Sequence, residues 1–215
     1  MKSATTDLMK KERISDALSG MIDLIVAGLL WLICSLPIIT LGASTTALYY
    51  AVNKCVRHNR GLLTPTFFSG FRSNFRQATI IWLIILGYVL LGVVDAYAFQ
   101  KMGYGPGSIL YILSRIFFAP LPLYFPWVFA FLSRFDNTIG GTLKFCGWLM
   151  FRYFGRSLLL AVELTVFLLI VWLLPTLLPL LPAAFCLMMS LVIEPVFKAL
   201  QHNYPDENED AWYNE

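Results

Sequence analysis

Three carboxylates, Asp23, Glu163 and Glu194, lie toward the inner third of long apolar stretches, and Asp95 and Arg115 fall at similar depth toward the opposite end of two consecutive ones. Near a bilayer centre an ionised side chain costs about 2.5–3.5 kcal/mol on insertion scales, so each of these needs a partner, water or a changed protonation state. Asp95 and Arg115 are expected to pair. For the inner carboxylates two readings stand side by side. In the plainer one they snorkel or pair with Arg152, Arg156 and Lys198 at the cytoplasmic rim, Glu194 and Lys198 having the favourable i, i+4 spacing. In the sharper one, Glu163 or Glu194 forms a proton- or cation-sensitive site between helices. Other chemistry lacks its residues. No H-E-x-x-H, G-x-S-x-G or G-x-x-x-x-G-K-[ST] pattern occurs, and the four cysteines show no C-x-x-C spacing. No catalytic residue, cofactor, metal site or nucleic-acid contact is therefore expected.

The elements that must position these groups are apolar helices. With 58% hydrophobic and 13% charged residues the chain lies outside the soluble globular range of about 25% charged. About 20 residues at 1.5 Å each cover the roughly 30 Å hydrocarbon thickness. The fold class expected is all-α, a polytopic helical membrane bundle with about six embedded helices near 21–41, 43–57, 78–99, 108–132, 156–174 and 183–201. They form one domain over residues 1–203. The acidic stretch 204–215, which contains Trp212 and Tyr213, reads as a solvated cytoplasmic tail.

The first two helices are interrupted by Pro37 and Gly42, a breaker pair at which the chain is expected to turn. Ala43, Ala47 and Ala51 then recur every fourth residue, a small-residue face that admits close helix contact. These five residues make the expected structural hinge. Residues 5–19 and 65–77 read as amphipathic helices on the membrane surface. In the second, Phe67, Phe68, Phe71 and Phe75 fall within about a 100° arc opposite Arg76, Ser69 and Ser73. The four phenylalanines, together with Arg134, are expected to contact the interface or a partner.

Cationic residues set the orientation. Lys2, Lys10, Lys11 and Arg13 precede the first span and Lys54, Arg57, Arg60, Arg72 and Arg76 follow the second, so both clusters want the cytoplasm. Six crossings with both termini inside leave only Lys101 and Arg115 of the 16 cationic residues elsewhere.

Three blocks carry a family resemblance: Leu36-Pro37-Ile-Ile-Thr40-Leu-Gly42-Ala43-Ser44-Thr-Thr-Ala47-Leu48-Tyr49, then Phe67-Phe68-x-x-Phe71-x-x-Asn74-Phe75-x-Gln77-Ala78, then Phe131-Leu-Ser-Arg134-Phe135-Asp136-Asn137. In order and spacing they resemble the YesL-like membrane proteins of Gram-positive bacteria. The resemblance implies a small plasma-membrane protein encoded beside the permeases of ABC-type sugar importers and acting as their accessory or regulator. It supplies no catalytic residues. The permeases' own Glu-Ala-Ala-x-x-x-Gly loop is absent from the sequence. The expected function is thus a non-enzymatic subunit that contacts the bilayer and importer permease subunits. The rival is a stand-alone solute or ion transporter or channel that uses the inner carboxylates.

Overall fold

A computed structural model describes the backbone of residues 2–103 and 108–203 and the side chains of residues 19–103 and 108–201. Eight α-helices follow in order among the described residues: α1 Lys2–Ser35, α2 Leu41–Ala51, α3 Leu63–Lys101, α4 Ile109–Phe118, α5 Leu121–Leu132, α6 Ile139–Arg152, α7 Phe154–Leu173 and α8 Leu181–Asn203. No strand occurs among the described residues. Among the described residues four helical segments suffice by length and composition to cross a membrane: Leu63–Lys101, Ile109–Leu132, Phe154–Leu173 and Leu181–Gln201. The two earlier expected crossings are shorter. The apolar part of α1 is Ser19–Ser35, and α2 has 11 residues before a π-helical turn, Val52–Arg57.

The chain reverses at the expected breaker. α1 stops at Ser35, Pro37 leads into a 3₁₀ turn, Ile38–Thr40, and α2 begins at Leu41. Proline's missing N–H and its ring stop α1 from propagating. The Thr40 hydroxyl lies 2.6 Å from the Cys34 carbonyl, and the Trp82 indole N–H donates to the Ile38 carbonyl at 2.7 Å, so the exposed backbone of the turn is satisfied. Trp31 donates to Thr45 Oγ1 at 3.1 Å, which fixes α1 and α2 as an antiparallel pair.

Among the helices α2 is the covered one: Gly42 through Tyr49 and Ala51 are all buried. Its small residues make this possible. A Cβ on Gly42 would sit 2.5 Å from Trp82 Cβ and 2.8 Å from the Ala78 carbonyl oxygen, and one on Gly70 would sit 2.9 Å from the Tyr50 ring. Those two contacts also set α2 antiparallel to α3, so α1 and α3 run in the same direction. Thr45 and Thr46 return their hydroxyls to the Leu41 and Gly42 carbonyls at 2.8 and 3.0 Å, whereas the Ser44 hydroxyl between the same buried turns has no hydrogen-bond partner.

The amphipathic stretch 65–77 is not a separate interfacial helix. It continues into the following span as the single 39-residue α3, about 58 Å long. No proline or glycine stands between Phe71 and Trp82 to break propagation. The stretch 5–19 likewise runs unbroken into the rest of α1, while the side chains of residues up to 18 lie outside the described residues. So do residues 104–107 and the acidic stretch from 204.

The four expected aromatic contacts divide. Phe67 is fully buried and stacks on Phe71 with ring centroids 6.4 Å apart, whereas Phe68 and Phe75 are exposed. Phe67 is therefore a core residue rather than a contact at the interface. The first turns of α3 pack on α2, where Gly70 admits Tyr50, and this turns Phe67 inward.

Candidate functional site

Polar chemistry concentrates where α2, the α5–α6 turn and α8 converge. Glu194 and Arg134 form an ion pair in which each side chain is 1% exposed. Glu194 Oε1 also accepts from Asn53 Nδ2 at 2.6 Å and from the Tyr49 hydroxyl at 3.2 Å. Arg134 donates in addition to Gln201 Oε1, and its guanidinium lies 5.6 Å from the Phe197 ring and 5.9 Å from that of Phe135. Beside this cluster, Arg57 donates to the Ser190 carbonyl at 2.8 Å. Desolvating two charges costs several kcal/mol per ion, and a buried pair persists only when further hydrogen bonds occupy its remaining lone pairs and protons. Here a phenol, two amides and two aromatic faces supply most of them, and the Asn53 Oδ1 atom stays buried without a hydrogen bond.

Local sequence explains the convergence. Tyr49 and Asn53 are four residues apart and share a helix face, and Glu194 and Gln201, seven apart, do the same on α8. Arg134 lies two residues past the end of α5, its N–H donating to the Phe131 carbonyl at 3.1 Å. That turn sends the side chain back into the bundle. Arg134 is thus not an interfacial or partner contact, because its charge is consumed inside. Glu194 likewise takes Arg134 as its ion-pair partner in place of the expected Lys198, which lies on the exposed side of α8.

At the mouth of this centre lies a polar cleft of about 200 Å³, lined by Tyr50, Ser69, Ser73, Asn74, Arg134 and Asp136 among others. Ser73 and Asn74 are tied to the Gly70 carbonyl at 3.2 and 3.3 Å. The second and third motif blocks, through Asn74 and through Arg134 and Asp136, therefore meet across one cleft beside the helix that carries the first.

The remaining intramembrane groups stand apart. Asp95 and Arg115 form an ion pair on α3 and α4, joined by the Ser114 hydroxyl, with side chains 28% and 36% exposed. Asp23 is half-buried on α1. Glu163 occupies the middle of α7, deeper than the inner-third position expected, and both its carboxylate oxygens are buried without a hydrogen-bond partner. Arg156, expected at its rim, reaches the Val192 carbonyl at 3.5 Å. Burial pushes the Cys146 thiol up, away from reactive thiolate.

Comparison with known proteins places only part of this arrangement. Residues 24–96 match the model of a family described as "Protein of unknown function, DUF624". The match runs from the apolar part of α1 through the buried α2 to near the end of α3. No curated protein and no solved structure matches the chain.

Tyr49, Asn53 and Gln201 are the members of the centre that a reading of charged residues overlooks. A signal existed in their shared helix faces, since an amide and a phenol one turn apart in an apolar helix need an internal acceptor.

Proposed function

We propose that this protein is a non-enzymatic membrane subunit that binds and steadies an importer, the importer being of the ABC carbohydrate class implied by the YesL-like resemblance. The observation that carries this reading is the closed state of the Arg134–Glu194 centre. Its charges are matched within the bundle and bonded to groups from α2 and α8, so they hold helices together and do not present a site that loads and releases a substrate. Large apolar side chains on α3, α4 and α7 instead face outward, a surface suited to lipid and to other membrane helices. The proposed setting is the bacterial plasma membrane, crossed six times, with both termini cytoplasmic. Antiparallel pairing of α2 with both α1 and α3 supports this orientation, because it brings both basic clusters to one end.

Co-purification from native membranes in mild detergent tests the reading. The importer permeases are expected to accompany the chain, and sugar uptake is expected to fall in a deletion strain. Recovery of the chain alone with normal uptake would overturn it. Cys55 and Cys146 are too buried to report topology, so cysteines introduced by Arg60→Cys and Met102→Cys are the useful probes. Labelling by an impermeant reagent from outside is expected at residue 102 and not at residue 60.

One observation favours the transporter reading: Glu163 leaves a carboxylate unmatched within a span. That reading requires uptake or current in vesicles containing this chain alone, abolished by Glu163→Gln.

A further inference from the structure

A pocket of about 480 Å³ opens where α5, α6 and the end of α8 meet, and its walls are aromatic. Phe135, Phe131, Phe145 and Trp148 follow one another round it, with successive ring centroids 4.8, 5.1 and 5.6 Å apart. Trp148 is 49% exposed, and α6, which carries it, is not among the four segments that suffice to cross a membrane. Two amides, Asn137 and Gln201, give the rim its polar groups. Along α6 the exposed Lys144 and Arg152 stand about one helical turn before and after Trp148. The surface is therefore an aromatic patch with a cation on either side.

A segment that fits this patch lies on the same chain. Leu200 and Gln201 line the pocket, and Gln201 is two residues, about 3 Å of helix rise, before Asn203 at the end of α8. Residues 204–215, outside the described residues, carry five carboxylates, no cation and the Trp212-Tyr213 pair. Glu209 and Asp210 precede Trp212 and Glu215 follows it, the anion–aromatic–anion counterpart of Lys144, Trp148 and Arg152. Eight residues separate Asn203 from Trp212, as many as helix connections in bundles use, and Pro205 has no N–H with which to extend α8. Steps of at most about 3.6 Å per residue give Trp212 a reach of roughly 30 Å, which covers the pocket. So short a tether holds the stretch at an effective concentration of about millimolar order. Lipid competes less well. An acyl chain matches the ring faces but leaves the cations and rim amides unanswered, and an anionic leaflet repels a stretch with five carboxylates. A buried tryptophan also needs an acceptor for its indole N–H, which an amide oxygen on the rim supplies.

We propose that residues 209–215 dock in the pocket between α5, α6 and α8, with the Trp212 indole among the rings and its flanking carboxylates at Lys144 and Arg152. Gln201 also accepts from Arg134, so the docked stretch closes over the outer side of the Arg134–Glu194 centre. The proposal stands independently of the accessory reading.

Cross-linking of the full chain in phosphocholine micelles tests this. Cys34→Ser removes the half-buried thiol, the other native cysteines being buried. Asn214→Cys is then paired either with Phe151→Cys, beside the pocket, or with Arg72→Cys on α3, both exposed positions, and disulfide formation under copper phenanthroline is timed. The 151 pair is expected to close at least tenfold faster than the 72 pair. Trp212→Ala, and separately Lys144→Glu with Arg152→Glu, are expected to reduce it to the rate of the 72 pair. Adding Glu209→Lys, Asp210→Lys and Glu215→Lys to the second variant is expected to restore the preference. Equal rates for the two pairs, the result if lipid or solvent holds the stretch, would overturn the proposal. So would cross-linked dimers in place of cross-linked monomers, which would give the pocket to a second copy. A preference for 151 that appears only in native membranes would give the pocket to a partner protein and overturn it as well. Size-exclusion profiles establish that the variants remain folded.

Discussion

Glu194 and Glu163 are borne by neighbouring, mutually packed helices, yet their surroundings are opposite. Glu194 is enclosed by Arg134, Asn53 and Tyr49, while both carboxylate oxygens of Glu163 are buried without a hydrogen-bond partner beside the apolar Met188, Phe185 and Val192. A buried carboxylate with matched donors ties elements together, and one without them lowers the stability of the fold that encloses it. The contrast separates a group committed to the fold from one left over by it. Asp95 stands between these extremes, paired with Arg115 but partly exposed.

The largest effect should come from the enclosed group. Glu194→Leu strands the Arg134 charge in the bundle and is expected to lower stability by about 3–5 kcal/mol, read by denaturant unfolding in micelles. Joining Arg134→Leu to it removes both charges and is expected to recover most of that loss. A double variant no better than the single one would show that the pair does not act as a unit. Glu163→Leu should shift stability the other way, raising it by about 1–3 kcal/mol in the isolated protein because an unsatisfied buried acceptor disappears. A loss of similar size would mean that the carboxylate is matched within the chain. Tyr49→Phe deletes one donor to Glu194 and is expected to cost about 1 kcal/mol in the same assay. Asp95→Asn, at a partly exposed pair, should change stability by less than about 1 kcal/mol.

Much of the helical arrangement is legible in residue order. Pro37 cannot sustain α1, Gly42 and the alanine series permit close approach, and the chain does turn and bury α2 there. Similar depth on consecutive spans brought Asp95 and Arg115 together, because antiparallel neighbours align positions equidistant from their connection. Other features depend on which helix covers which. Phe67 and Phe68 are adjacent and chemically identical, yet only Phe67 is enclosed, since α2 lies on its side of α3. Arg134 has the polarity of a surface residue and is buried because the α5–α6 turn aims it at a carboxylate 60 positions later. Local pattern carries no information about a pairing over that separation. The run 65–77 has the amphipathic character of a surface helix, but nothing in it stops propagation, so it joins the span that follows.

Sequence alone determined that this is an apolar helical chain with a break near residue 40 and a few charges confined to its spans, because hydropathy, helix-breaking and charge position are properties of each residue and its near neighbours. Tertiary structure alone decided which of those charges are matched. Whether a carboxylate meets an arginine or only apolar neighbours depends on side chains that reach it from distant helices, and only the packed bundle brings them within hydrogen-bonding distance.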